Sequence, residues 1–365
     1  MKKIAGILSI LIPVLPGLFA QDMPVMNDTQ EYCTPEDFME MPKIDAHCHI
    51  ETTRTAFMEQ ALADHFSIVT LNTDAGGNPP IAEQLRLAVV QHQMYPYQLA
   101  FLATFSMKGW GDEGWQEKTI SWLEEAFAKG AVGVKVWKNI GMVEKDKNGK
   151  FIMIDDPGFD PIFDYIAGKD MPVCGHLGEP RNCWLPVDSM TVNNDKSYFK
   201  EHPEYHMYLH PDFPSYEDQI RARDNMLQKH PELHFIGAHL GSLEWSIDEL
   251  ARRFDQFPNM TVDLAARICH IQKQSQDDWQ KVRDFLIRYQ DRILYGTDLG
   301  DDGDSEPAEL KERIHTVWSL DWKYFTTDEI MTSSELDGEF RGLKLPREVV
   351  AKIYYRNAAK VLKIR

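Results

Sequence analysis

The segment Lys43–Ile50 carries two histidines one residue apart, His47 and His49, at the end of a short apolar run. Side chains alternate faces along an extended strand, so both imidazoles point the same way, with Asp45 on the same face. Two neutral ring nitrogens that face one point begin a metal site, most often for zinc. A strand with two solvent-facing histidines explains an isolated pair equally well, so the rest of the chain must decide.

Four further apolar stretches each carry one residue that ligates metals or bears charge. These residues are Lys135, His176, His239 and Asp298. Each alone fits an ordinary buried residue with a hydrogen-bond partner. A buried charge or imidazole without a partner is costly, however, and a set of them at one end of a fold can satisfy one another around a cation. The set therefore favours the metal interpretation of the histidine pair.

The apolar runs alternate with helical periodicity along the chain. We predict strands over 44–50, 67–73, 98–105, 131–137, 171–177, 234–240, 259–265 and 292–297. We predict helices over 55–65, 81–94, 114–129, 161–167, 216–229, 246–257, 276–289, 307–322 and 348–362. Strands that are apolar throughout indicate a parallel sheet covered by helices. Eight such units predict one α/β domain over 42–363, a single (β/α)8 TIM barrel with a C-terminal helical extension. A doubly wound sheet is less well supported, because no Gly-rich fingerprint follows an early strand.

In a barrel of this kind the C-terminal ends of the strands form the working face. The residues that end strands one, five, six and eight resemble the amidohydrolase superfamily of metal-dependent hydrolases. Within it, segments 131–141, 175–180, 238–241, 259–267 and 292–298 resemble the amidohydrolase-related family that includes aminocarboxymuconate semialdehyde decarboxylase. The resemblance covers roughly residues 42–363. It implies that one divalent metal, usually zinc with manganese as an alternative, is bound by His47, His49, His176 and Asp298, and that His239 faces the reacting group.

The chemistry of these residue types predicts an enzyme. A divalent ion on neutral imidazoles lowers the pKa of bound water towards about 7. Asp298 can then move a proton, and His239 can polarise a carbonyl. We expect a hydrolase of a small amide, ester or lactone, with a decarboxylase of a small unsaturated or aromatic acid as the alternative. A non-catalytic exported binder of metal or solute would be expected to lack Asp298 or His239, and both are present.

Lys135 leaves the number of ions open. In two-metal relatives a carboxylated lysine at the end of strand four bridges the ions, and then His239 becomes a ligand. Counting ligands favours one metal, with Lys135 as a substrate or structural cation. Arg181 and Arg267, just past strands five and seven, are predicted to bind a substrate carboxylate, although each could instead pair with a nearby acid.

The segment 182–214 is long for a barrel loop and rich in aromatic residues, so we predict a lid over the pocket. His202, His206 and His210 recur there every four residues, which on a helix would line one face. Pro203 and Pro211 interrupt any such helix and argue against a second metal site.

The net charge narrows the expected binding partners, and the N-terminal segment predicts the cellular compartment. The formal net charge of −18 argues against nucleic acid or anionic lipid and leaves a small molecule as the expected partner. Residues 1–20 predict an export signal cleaved after Ala20, hence a periplasmic or secreted protein with no membrane contact after cleavage. The five cysteines are an odd number, and Cys48 and Cys174 fall in predicted strands, which indicates buried thiols. The aromatic insertion would suit a homo-oligomer contact.

Overall fold

The computed structural model describes residues 30–364, so the predicted export signal lies outside the described residues. All eight predicted strands are present, most of them shorter than expected. They are β1 (Lys43–Ile50), β2 (Phe66–Leu71), β3 (Leu99–Leu102), β4 (Val134–Val136), β5 (Val173–Gly175), β6 (Phe235–Gly237), β7 (Met260–Asp263) and β8 (Ile293–Leu294). An additional short strand, β9 (Leu299–Asp301), follows β8 and was not predicted.

The nine strands run parallel in two sheets, ordered β3-β2-β1-β9 and β4-β5-β6-β7-β8. Backbone hydrogen bonds join the sheets at both sides. Lys135 N–H donates to the carbonyl of Ala103 at 2.6 Å, and Ala46 N–H donates to the carbonyl of Tyr295 at 3.0 Å. The ring of strands is therefore complete, and the predicted (β/α)8 barrel is confirmed.

Helices of eight or more residues surround the barrel. They are Ala56–Ala63, Ile81–Met94, Trp115–Ala128, Asp160–Gly168, Asn193–Glu201, Tyr216–Lys229, Ile247–Gln256, Ile268–Asp277, Trp279–Arg288 and Pro307–Thr326. Tyr216–Lys229 has the predicted bounds because Ser215 and Asp218 form a reciprocal capping box at its start. Between residues 30 and 364, no helix is long and apolar enough to cross a membrane.

Three regions differ from the prediction. The helix expected over 276–289 spans Trp279–Arg288, because Asp278 leaves helical geometry and its side chain accepts from Lys281 N–H, and an unpredicted helix, Ile268–Asp277, precedes it. The helix expected over 348–362 contains a π-helical segment, Lys352–Arg356. A hairpin of β10 (Ile330–Ser333) and β11 (Leu336–Arg341) lies where no strand was predicted. It contacts the long insertion, where Asn193 N–H donates to the carbonyl of Glu335 at 2.6 Å.

The core occupies the inside of the barrel and its lower end. Ile44, Val69, Leu102 and Ile236 pack together inside the strands. The C-terminal helix Asn357–Leu362 adds Ala358 and Leu362 to this cluster. At the opposite end of the barrel, where the strands have their C-terminal ends, the side chains are mostly polar.

Candidate metal centre

His47 and His49 lie on β1 with their ring centroids 5.3 Å apart. The Nδ1–H of buried His47 donates to Asp263 Oδ2 at 2.8 Å. The Nδ1–H of His49 donates to the carbonyl of Leu71 at 2.9 Å. Because each Nδ1 carries the proton, each Nε2 presents a lone pair towards the end of the barrel.

Asp298 follows β8 and places its carboxylate between these two rings. Its backbone has a φ of 68°, a left-handed conformation that Asp tolerates better than most residues. Its N–H donates to the carbonyl of His47 at 2.8 Å. Its Oδ1 lies 3.3 Å from His47 Nε2 and 3.2 Å from His49 Nε2, and the three ligand atoms lie within 4.8 Å of one another. Three of the four predicted metal ligands therefore meet at one point.

His176 and His239, which follow β5 and β6, lie beside this group. Their ring centroids are 4.2 Å apart, and the ring of His239 is 4.8 Å from that of His47. His239 Nδ1–H donates to the carbonyl of Ala265 at 2.8 Å, so its Nε2 also presents a lone pair. His176 Nε2 is buried without a hydrogen-bond partner, and the nearest carboxylate oxygen, Glu179 Oε2, is 3.7 Å away.

This donor set fits a divalent metal. Neutral imidazole nitrogens and a carboxylate oxygen are ligands that zinc and manganese accept. Each of His47, His49 and His239 is oriented through Nδ1, the arrangement typical of metal-binding histidines. The unpartnered Nε2 of His176 is a costly feature unless a ligand from outside the chain satisfies it.

Two buried aspartates support the site from below, and the sequence prediction gave neither a role there. Asp263, on β7, accepts from His47 Nδ1–H and from the backbone N–H of His239. Asp45 accepts from Thr297 and from Trp318 Nε1–H, at 2.6 Å and 2.9 Å. The role of Asp263 could have been predicted from the sequence, because it is an acidic residue at the end of an apolar strand, Thr261-Val262-Asp263.

The electrostatics favour neutral rings for His47, His176 and His239 and a charged carboxylate for Asp298 and Asp263. Burial, together with Lys138, lowers the pKa of His176 well below its usual value; burial, together with His176, does the same for His239. Burial alone would raise the pKa of Asp298, but the neighbouring histidines hold it well below its usual value. Burial would also raise the pKa of Asp263, but His47 and its hydrogen bond hold it at about 2.

Lys135 lies on β4 beneath the same group and is 1% exposed. Its Nζ donates to His47 Nε2 at 3.2 Å and to Cys174 Sγ at 3.8 Å. The predicted second-metal or substrate residue is thus in contact with a predicted metal ligand. Cys174 and Cys48 are free buried thiols, as predicted.

A cavity of about 590 Å³ opens above the centre. His49, Lys135, His176 and Asp298 line its floor. Most of its remaining lining is polar, and it includes Glu51, Thr73, Asn78, Lys138, Asp301, Asp302, Ser305 and Arg313. The apolar contribution comes from Ala75, Trp137 and Leu299.

The two predicted substrate-binding arginines do not line this cavity. Arg181 stacks its guanidinium on Trp245, 4.1 Å from the ring centre, and lines a separate cavity. Arg267 is buried, donates to the carbonyl of Ala266 at 2.7 Å and leaves its Nε without a partner. Their role in binding substrate stays a prediction.

The histidines of the insertion do not form a metal group. His206 Nε2 hydrogen-bonds to the carbonyl of Leu185 at 2.8 Å, and His210 Nε2 to that of Pro203 at 3.0 Å. Both rings therefore hold backbone carbonyls of the insertion itself.

Comparison with known proteins agrees with the barrel. The sequence model of the amidohydrolase family matches residues 44–364. A search of curated proteins finds no significant match. The solved structure of 2,6-dihydroxybenzoate decarboxylase from Rhizobium matches with a TM-score of 0.52 and 14% identity, over 88% of this chain and 99% of that one. An uncharacterised TIM-barrel protein from Bordetella bronchiseptica gives 0.50 and 15% identity, over 88% and 99%. Identities this low show a likeness of fold.

Proposed function

Because this chain belongs to the amidohydrolase family, we propose that it is a metal-dependent hydrolase of a small, polar amide, ester or lactone. The observation that carries the proposal is the meeting of His47 Nε2, His49 Nε2 and Asp298 Oδ1 within 4.8 Å at the floor of a polar cavity. We expect one divalent ion, zinc or otherwise manganese, held by these three residues and His176. When bound there, the ion would acidify a water molecule and polarise a substrate oxygen.

Asp298 is the group that moves a proton in this proposal. The neighbouring histidines keep its pKa low, so the carboxylate is ionised at any ordinary pH. Its side chain is 33% exposed, to the cavity, so a water or a leaving group can reach it. A positioned carboxylate can take a proton from attacking water and return it to the leaving group.

The tautomer of His239 restricts what this residue does. Its Nδ1–H is committed to the carbonyl of Ala265, so the neutral ring offers a lone pair at Nε2. A neutral His239 therefore accepts a proton or a hydrogen bond at Nε2. It can donate to a substrate oxygen, the role inferred from sequence, only after it has taken up a proton.

The lining of the cavity favours hydrolysis of a polar substrate. Apolar and aromatic side chains usually dominate the pockets that bind small organic ligands. Here Trp137 is the one aromatic side chain in the described lining, beside at least ten polar or charged residues. A small substrate rich in hydrogen-bonding groups satisfies this surface better than a bare aromatic ring does.

Decarboxylation of a small unsaturated or aromatic acid is the second candidate. Lys138 lines the cavity beside the metal centre, where a substrate carboxylate could be bound in exchange for its ion pair with Glu179. The fold of 2,6-dihydroxybenzoate decarboxylase is also similar to that of this chain. A non-catalytic binder is less well supported, because Asp298 and His239 are both in place.

An assay of products separates these functions. Purified protein loaded with zinc or manganese is incubated with a panel of lactones, esters, amides and aromatic acids. We expect acid release from the first three classes, and its loss in Asp298→Asn but not in Asp188→Asn, an exposed carboxylate of the insertion. Release of carbon dioxide instead would establish the decarboxylase, and metal binding with neither product would establish the binder.

A further inference from the structure

Three carboxylates at the mouth of the cavity have no ion-pair partner. Glu51 follows β1, and Asp301 and Asp302 end β9 and begin the next loop. All three line the cavity above the metal centre. Within the part of the chain that the structure describes, no lysine, arginine or histidine nitrogen lies within 4.0 Å of their oxygens. The chain therefore supplies no direct ion pair to these carboxylates.

Asp301 is a buried carboxylate that lacks part of its hydrogen bonding. The residue is 2% exposed, and its Oδ1 accepts from Gly303 N–H at 3.0 Å. Its Oδ2 is buried and has no hydrogen-bond partner. Burial raises the pKa of Asp301 and outweighs the Gly303 hydrogen bond and the more distant Arg54 and Arg313, which lower it. A buried carboxylate oxygen without a donor is destabilising, so its presence in a cavity wall points to a ligand that supplies the donor.

The lysine and arginine side chains that line the same cavity have other hydrogen-bond or ion-pair partners. Lys138 is paired with Glu179. Lys135 donates to His47 and Cys174. Arg313 donates to the carbonyl of Gly300 at 2.9 Å. None of these side chains makes an ion pair with the three carboxylates of the mouth.

The geometry places these carboxylates one step outward from the metal centre. Glu51 lies two residues beyond His49 in an extended segment, about 7 Å along the strand direction. Its N–H donates to the carbonyl of Asp301 at 2.8 Å, which fixes the two residues side by side. Asn78 Nδ2–H holds Glu51 Oε1 at 2.7 Å. A substrate that reacts at the floor would extend its far end between them.

The three carboxylates do not form a compact group of metal ligands, which favours an organic cation over a metal ion. Among residues 30–364, two groups of three ligand atoms from His, Cys, Asp or Glu lie within 4.8 Å of one another, and neither includes Glu51, Asp301 or Asp302. An ammonium group carries three N–H donors and can bridge acceptors that are farther apart than a metal's ligands. A guanidinium group can bridge acceptors that are still farther apart.

We propose that Glu51 and Asp301, with Asp302 at the rim, bind a cationic group of the substrate, a primary ammonium or a guanidinium. This inference rests on the proposed hydrolase and defines its substrate class: an amide, ester or lactone with a cationic group a few bonds from the scissile carbonyl. It is a different substrate group from the carboxylate predicted to bind Arg181 and Arg267, neither of which lines the cavity.

The test compares paired substrates that differ in one charge. The metal-loaded protein is assayed on amino-substituted esters and lactones beside hydroxyl-substituted counterparts of the same length, near pH 7. Charge-assisted hydrogen bonds predict a kcat/KM about 10- to 100-fold higher for the amino compound. That preference should fall towards one in Glu51→Gln and Asp301→Asn. It should be retained in Glu117→Gln, an exposed carboxylate outside the cavity.

Binding without turnover separates this inference from the proposed function. Saturation-transfer NMR with propylammonium and propanol measures binding at the proposed subsite even if no substrate is hydrolysed. We expect a signal for propylammonium alone that is weakened in both variants. Equal turnover of both substrates, or equal signals for both probes, would overturn the cationic subsite while leaving the hydrolase standing. Displacement of propylammonium by stoichiometric Mg²⁺ or Ca²⁺ would also overturn it, because the carboxylates would then hold a second metal ion.

Discussion

The candidate metal ligands are oriented by residues that lie far from them in the sequence. Asp263 on β7 holds His47, and the carbonyl of Leu71 on β2 holds His49. In each case the Nδ1–H is occupied, so Nε2 is the atom left for a metal. The sequence predicted which side chains end the strands, but not these partners, because each hydrogen bond crosses from one strand to another.

The support that Asp263 gives to His47 predicts a loss of metal affinity in Asp263→Asn. The amide can no longer accept as a carboxylate does, so His47 loses its fixed tautomer and ring orientation. Removal of such a partner typically costs about 10- to 100-fold in metal affinity. Competition with a chelator measures the affinity, and circular dichroism confirms folding. An affinity equal to that of Asp188→Asn would show that Asp263 does not act through His47.

The lowered pKa values of His176 and His239 predict metal binding that persists into mild acid. Burial keeps both rings neutral as the pH falls through 6.5, the usual histidine value, so protonation should begin to compete with ligation only below it. Metal affinity measured against pH should therefore stay level down to 6.5. An affinity that already falls as the pH approaches 6.5 from above would contradict the burial of these rings.

Lys135 is the residue on which the number of ions depends. Ligand counting predicts a single ion, with an unmodified Lys135 amine beside His47 Nε2 at 3.2 Å. Metal analysis of wild type beside Lys135→Ala should find one ion per chain in both. A fall from two ions to one in the variant would establish a bridged pair.

At the scale of elements, apolar runs and caps were enough to predict the barrel. The helix over 81–94 has the predicted bounds, as does Tyr216–Lys229 with its Ser215 cap. The hairpin β10–β11 was missed because most of its residues are exposed and only Met331, Leu336 and Phe340 are buried. Its stability depends on contacts with the insertion, which no local pattern reveals.

The insertion is fixed to the barrel by a buried polar contact. Asp195 accepts from Asn182 Nδ2–H at 2.8 Å, and its Oδ2 lies 3.2 Å from His270 Nε2 of the helix Ile268–Asp277. We expect Asp195→Ala to destabilise this region by about 1–3 kcal/mol, because Asn182 loses a buried acceptor and His270 a neighbouring carboxylate. Hydrogen exchange should then increase over 182–214 but not in β1 or β2. Exchange unchanged from that of Asp188→Asn would show that the contact does not anchor the insertion.

At the scale of the whole molecule, one barrel end holds the metal candidates and the cavity, and the other is closed by the C-terminal helix. The composition is strongly acidic, with a formal net charge of −18. Positive charge on a substrate is compatible with this field, and so is a divalent ion. The acidic residues at the mouth of the cavity have the same sign of charge as the molecule as a whole.

We propose that the protein is exported and that residues 1–20 are removed. The apolar run after Lys2 and Lys3 and the small residue Ala20 support cleavage at that point. Mass spectrometry of the protein from the exporting host should find a mature chain that begins at Gln21. An intact chain with Met1 in the cytoplasm would reject export.

The central claim is that one divalent ion on His47, His49, His176 and Asp298 supports turnover. Its most direct test is stepwise addition of Zn²⁺ or Mn²⁺ to metal-depleted protein, with bound metal and turnover measured on the same samples. The account predicts no turnover without metal and a linear rise that saturates at one ion per chain. Turnover in metal-free protein, or saturation at two ions per chain, would contradict it.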